Sequence, residues 1–164
     1  MTSARQLRVF DYVNQPFEPV REALLADARG IFSRATNVAS ARTQRIASAL
    51  RLNVAGIEIG KEIEIEVCGS FENERPAPAA GHETHIELRW SAVGDATLFP
   101  TMTADLAIYP LSSRETQLDL TGSYEPPLGF LGGAIDALVG HRVAEACVHQ
   151  FIVDVAEQLR RELA

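Results

Sequence analysis

Two cations are the side chains of this sequence best placed to act on a small molecule. Lys61 is the single lysine among fifteen Lys and Arg residues. It falls between Ile59 and Ile63 on the apolar side of an alternating segment. A lysine facing an apolar space can pair with a carboxylate, or shift its pKa and act as a base. The same spacing also fits a bulge at Gly60 that turns Lys61 outward, or a side chain that snorkels to the sheet edge. Arg142 sits on the apolar stripe of a long amphipathic segment. An inward guanidinium there binds a carboxylate or an enolate through two parallel hydrogen bonds. The plainer alternative is a structural pair with an Asp or Glu of a facing sheet.

Other chemistry is poorly served. His82 and His85 are three apart, which on a strand sends them to opposite faces and away from a shared metal; both read as solvated loop or strand-edge residues. His141 and His149 are eight apart, more than two helical turns, too far to share an ion. No histidine, carboxylate and cysteine cluster has ligand spacing, so no metal and no cofactor is expected. Cys68 and Cys147 lie in apolar segments and read as small buried hydrophobes in a reducing compartment. No nucleophile elbow, phosphate loop or dinucleotide fingerprint is present.

These residues must be positioned by the surrounding elements. The 164 residues suit one domain, 1–164, with a core large enough to need no staples. A net charge of −7 argues against a phosphate-backbone binder, so no nucleic-acid partner is expected. No stretch approaches the ~18 apolar residues of a membrane span, and no signal core opens the chain. A cytoplasmic monomer or homodimer with no stable membrane insertion is the expectation.

Leu7–Val13 reads as a first strand, ended at Pro16. Phe17–Ala28 reads as a short helix with Pro19 in its first turn, stopped at Arg29-Gly30. A second short helix or loop follows around Ile31–Ala35. The period then becomes two. Ile46, Ser48, Leu50, Leu52 and Val54 share one face. Ile57, Ile59, Ile63, Ile65 and Val67 share another, backed by a solvated acidic row of Glu58, Glu62, Glu64 and Glu66. Ser70–Gly81 reads as a loop. Thr84, Ile86, Leu88, Trp90 and Ala92 form the next inward row. Met102, Ala104, Leu106 and Ile108 follow, ended by Pro110, and then Leu118, Leu120 and Tyr124, ended by Pro126-Pro127. A long helix begins near 128–133 and carries Ile135, Leu138, Val139, Arg142, Val143, Phe151, Ile152, Val155 and Leu159 on one stripe. Arg160 and Arg161 close it, where cations suit the helix dipole. The class is α+β.

The opening Val13-Asn14-Gln15-Pro16-Phe17-Glu18-Pro19-Val20, the strand run, and the ending Gly122-Ser123-Tyr124-Glu125-Pro126-Pro127-Leu128-Gly129 before a long helix resemble the START-like, or SRPBCC, superfamily. The likeness covers nearly the whole chain, and its ending is similar to that of bacterial cyclase/dehydrase-like or lipid-transport-like members. It implies the helix-grip fold: a curved antiparallel sheet of about six to seven strands wrapped around a long C-terminal helix, with one or two short helices after the first strand. It implies a cavity between sheet and helix, used in this superfamily for lipids, sterols, hormones or polyketides. Fold alone does not choose among them.

The wall of such a cavity would be Leu88, Trp90, Leu106, Ile108, Leu120, Tyr124, Ile135, Leu138 and Val139, with Arg142, Lys61 and Tyr124 fixing a polar end. Each apolar member is equally suited to fill a solid core. Polyketide cyclases of the superfamily use an arginine and tyrosines on an enolate; the nearest equivalents here are Arg142, Tyr109 and Tyr124. The expected function is binding of a small apolar or amphipathic ligand. The alternatives are a polyketide aromatase/cyclase-like enzyme and a regulatory or chaperone-like interaction protein.

Overall fold

The computed structural model describes residues 4–49, 63–75, 81–92, 101–125 and 134–164. Within these, the order is β1 (Arg5–Val13), α1 (Phe17–Ala49), β2 (Ile63–Arg75), β3 (Gly81–Ala92), β4 (Thr101–Ser112), β5 (Glu115–Glu125) and α2 (Ala134–Glu162). The strands form one antiparallel sheet in the order β1-β5-β4-β3-β2. Five strands among the described residues are fewer than the six or seven expected.

Part of the difference lies in α1. The segment expected to open a strand at Ile46 is helical through Ala49. Ala39, Ala41, Ala47 and Ala49, with Arg42 and Arg45 among them, are good helix formers, and they outweigh a short period-two apolar pattern. Residues 50–62 lie outside the described residues, and with them Lys61, Gly60 and two of the acidic row, Glu58 and Glu62.

The helix after β1 is two helices joined at Asp27, whose backbone leaves the helical region (φ −147°, ψ 47°). The Asp27 carboxylate accepts the Gly30 N–H at 3.1 Å, capping the second helix. The sequence places the break at Arg29-Gly30, and the cap moves it to Asp27. The second helix is long rather than short. Val20 and Leu24 are buried on the first helix, and Ile31, Phe32 and Ala35 on the second.

Ser70–Arg75 is not a loop but the second half of β2, paired with β3 from Ser70↔Ile86 to Arg75↔Gly81. A register shift between Val67 and Gly69 changes which side chains point inward, and that hides the strand from an alternation count. The same bulge leaves Cys68 exposed, where a buried thiol was expected. Pro110 does not end β4, which runs on to Ser112 past an irregularity at the hairpin.

The core lies between the inner face of the sheet and the two helices. Val148, Phe151, Ile152, Val155, Ala156 and Leu159 give α2 a buried stripe at helical spacing. α2 packs on α1 and β1 and touches β5 lightly. Phe32 and Phe151 meet with ring centroids 5.8 Å apart. Arg160 donates to the Tyr12 carbonyl, and Arg34 pairs with Glu162. The C-terminal half of α2 is thereby fastened at the β1 side of the sheet.

Candidate functional site

The strand registers arrange the inner face in rows that cross the sheet. One row runs Ile86, Leu106, Leu120, Val9, and the next Leu88, Ala104, Gly122, Leu7. A third runs Trp90, Met102, Tyr124, Arg5, toward the chain that leads into α2. Thr84, Ile108 and Leu118 lie on the opposite side of the first row.

Leu88, Leu106, Ile108, Leu120 and Tyr124, all expected in the wall, thus share one face. They are not equivalent. Leu106, Ile108 and Leu120 have 0% of their surface accessible, so every side of them already meets protein. Leu88 keeps 3% and Ala104 9%. Residual access on the inner face lies at Leu88, Ala104 and Leu7 of the second row and at Val9, the β1 end of the first. Trp90 occupies a register position beside the second row, opposite Met102. Ile135, Leu138, Val139 and Arg142 lie in the first half of α2.

The floor of that row is shallow because its two central positions are Ala104 and Gly122. Met102 fills the hollow. A Cβ on Gly122 would lie 2.7 Å from the Met102 Sδ. Methionine is unbranched and polarizable, so it suits an irregular gap.

Polar groups stand at two margins of this face, Thr84 with the Glu72–Arg21 pair at one and Tyr124 at the other. The Tyr124 side chain is buried, and burial raises its pKa, while the charge and hydrogen bond of Arg5 partly offset that rise. The phenol therefore stays protonated at neutral pH. Arg5 is its register partner across β1 and β5. A tyrosine hydroxyl beside a guanidinium, at the edge of an apolar face, can hold a carboxylate or an enolate oxygen. Sequence reading missed Arg5, because only the β1–β5 pairing, between strands at opposite ends of the described sheet sequence, brings it to Tyr124.

Tyr109 cannot share that task. It follows Ile108 on β4 and so points to the outer face. There its hydroxyl donates to Asp119 Oδ2 at 3.3 Å, and Arg75 covers its ring at 3.9 Å. Asp119 also accepts from Arg8 at 2.9 and 2.5 Å. Burial, then the Asp119 charge, raises the Tyr109 pKa, which keeps it a donor. Strand alternation alone contained the signal that separates Tyr109 from Tyr124.

His85 also departs from expectation. It is 8% exposed rather than solvated, held on the outer face between Glu83 and Asp105. Among the described residues no group of His, Cys, Asp and Glu could hold a metal ion. None of the described helices is long and apolar enough to cross a membrane.

No family model matches the chain. No curated protein matches it either. Among solved structures it is similar to the Zhui aromatase/cyclase from Streptomyces sp. R1128, with 16% identity and a TM-score of 0.53 over 98% of this chain and 96% of that one. It is also similar to a conserved protein from Geobacillus kaustophilus, at 16% identity and a TM-score of 0.49 over 97% and 95% of the two chains. A third likeness is to the human StarD13 lipid transfer and protein localization domain, at 10% identity and a TM-score of 0.42 over 95% and 77%. The fold is an α+β helix-grip fold.

Proposed function

We propose that this protein binds a small, largely apolar molecule with one anionic or polar end, between the inner face of the sheet and the first half of α2. The observation that carries the reading is the distribution of polarity on the inner face. Leu88, Ala104, Gly122 and Leu7 make an apolar row with residual access, and the Arg5–Tyr124 pair stands at its border. An apolar body would be desolvated along the row, at roughly 25 cal/mol per Å² removed from water. Its anionic end would meet two donors instead of one.

In this reading Leu88, Trp90, Tyr124, Ile135, Leu138, Val139 and Arg142 contact the ligand. Leu106, Ile108 and Leu120 form the packed layer beneath. Arg142 is a second candidate for the anionic end.

The likeness in fold to the Zhui aromatase/cyclase keeps a second reading, an enzyme acting on a carbonyl compound. Tyr124 with Arg5 would then stabilise an enolate, without Tyr109. The two readings separate on substitution. In a carrier, Tyr124→Phe weakens binding of a carboxylate probe. In an enzyme it lowers turnover at saturating substrate.

Fluorescence titration tests the binding itself, since Trp90 is the only tryptophan. Decanoate should change its emission saturably, and Leu88→Arg should abolish the change. A flat titration with decanoate and with its methyl ester would count against a ligand on this row.

A further inference from the structure

A neutral imidazole has one donor and one acceptor, and an imidazolium has two donors. The His85 Nδ1 lies 2.7 Å from Asp105 Oδ2, and its Nε2 2.8 Å from Glu83 Oε1. Ionised carboxylates only accept. A neutral ring would turn a lone pair toward one of them, so only the protonated ring satisfies both.

The surroundings sharpen that demand. Asp105 Oδ1 is buried with no hydrogen-bond partner, which leaves His85 as the group answering this carboxylate among the described residues. Phe71 of β2 stacks on the imidazole, with centroids 4.6 Å apart and planes within 2°. A cationic ring is attracted to an aromatic face, and a neutral one less so. On the same strand, Glu87 is the next outward group. From β2, Arg75 pairs with Glu83 at 3.3 Å, and it also covers Tyr109 of β4. Arg75 thus offsets part of the Glu83 charge and makes no ion pair with Asp105.

We propose that His85 is a proton-operated clasp: protonated, it fastens β2, the edge of the described sheet, to β3 and β4, and neutral, it lets β2 loosen. Among the described residues β2 pairs on one side only, with β3. On its inner side Glu72 pairs with Arg21 of α1. Loosening β2 therefore also weakens a seam with the first helix, along one margin of the inner face. This inference does not depend on the ligand reading.

The direction with pH follows from the charges. Burial alone would lower the His85 pKa; the hydrogen bonds and charges of Asp105 and Glu83 outweigh it and raise it above the usual value. A raised folded pKa gives stability that is complete below the unfolded value near 6.5. It is lost as pH rises through the folded value. Asp105 borders an open groove of about 420 Å³ on the outer face, so solvent protons reach the clasp.

The test is nitrogen-15 NMR titration of the histidine rings, with amide hydrogen exchange of β2 and β5 across the same pH range. His85 should hold two protons below its midpoint, and that midpoint should exceed the ordinary histidine value. The exchange of β2 amides relative to β5, corrected for intrinsic rates, should rise through that midpoint. The rise is about tenfold for each unit by which the folded pKa exceeds the unfolded one. Asp105→Asn, which supplies a neutral group able to donate or accept, should lower the midpoint and flatten the β2 response. A His85 midpoint at or below the ordinary value would overturn the proposal. So would a β2-to-β5 ratio independent of pH in the unaltered protein.

Discussion

At the scale of single residues, the neighbours that matter are joined by strand pairing, not by sequence spacing. Arg5 and Tyr124 are at opposite ends of the chain's strands and adjacent in the sheet. Tyr124→Phe removes one donor to a bound carboxylate and should weaken decanoate binding about tenfold, the size of one charge-assisted hydrogen bond. Binding of the methyl ester should change much less; calorimetry of both probes checks this. Gly122 makes a separate claim. Gly122→Ala puts a methyl against Met102 and should destabilise the fold by about 1–3 kcal/mol, the usual size of overpacking. Adding Met102→Ala removes the collision. A double-mutant cycle by urea unfolding should then give a coupling above about 0.5 kcal/mol. Additive effects would place Met102 elsewhere. The residue scale was the least legible in the sequence. Tyr109 could have been excluded by alternation from Ile108, but the burial of His85 depends on three strands whose registers no single segment states.

At the scale of elements, the Asp27 cap is the most local device. Asp27→Ala leaves the Gly30 N–H without its acceptor and should cost about 1 kcal/mol, while Asp27→Asn should recover most of it. Thermal unfolding of the three proteins measures both. β1, β3, β4, β5 and the C-terminal helix were legible because each keeps one period over many residues. Leu118 and Leu120, or Phe151, Ile152 and Val155, need no tertiary knowledge to be placed inward. β2 was half legible: Ile63, Ile65 and Val67 alternate cleanly, then the bulge at Cys68 shifts the phase and the strand continues under polar residues. The second half of α1 was misread because Ile46 and Ser48 mimic alternation within a helix-forming Ala and Arg context. The candidate wall was legible as a face but not in depth. Burial of Leu106, Ile108 and Leu120 on all sides is a result of helix packing, and alternation says nothing of it.

At the scale of the whole molecule, the two faces of the sheet do different work. The inner face is apolar between two polar borders, Arg5 with Tyr124 at one and Thr84 with the Glu72–Arg21 pair at the other, and the outer face carries a chain of contacts over all five described strands. That chain runs from Phe71 and His85 through Asp105, Glu83, Arg75 and Tyr109 to Asp119 and Arg8. The clasp proposed within it predicts that global stability falls as pH rises above the raised His85 value, and that His85→Gln removes this dependence. Denaturant midpoints at several pH values check the sign. The central claim is that a small amphipathic molecule occupies the inner face. The most direct measurement is a methyl NMR titration of the protein with decanoate. The account predicts saturable shifts at Leu7, Leu88, Met102 and Ala104, smaller ones at Leu106 and Leu120, and their loss in Leu88→Arg. No shift at any inner-face methyl, or shifts confined to outer positions such as Leu111, would contradict it.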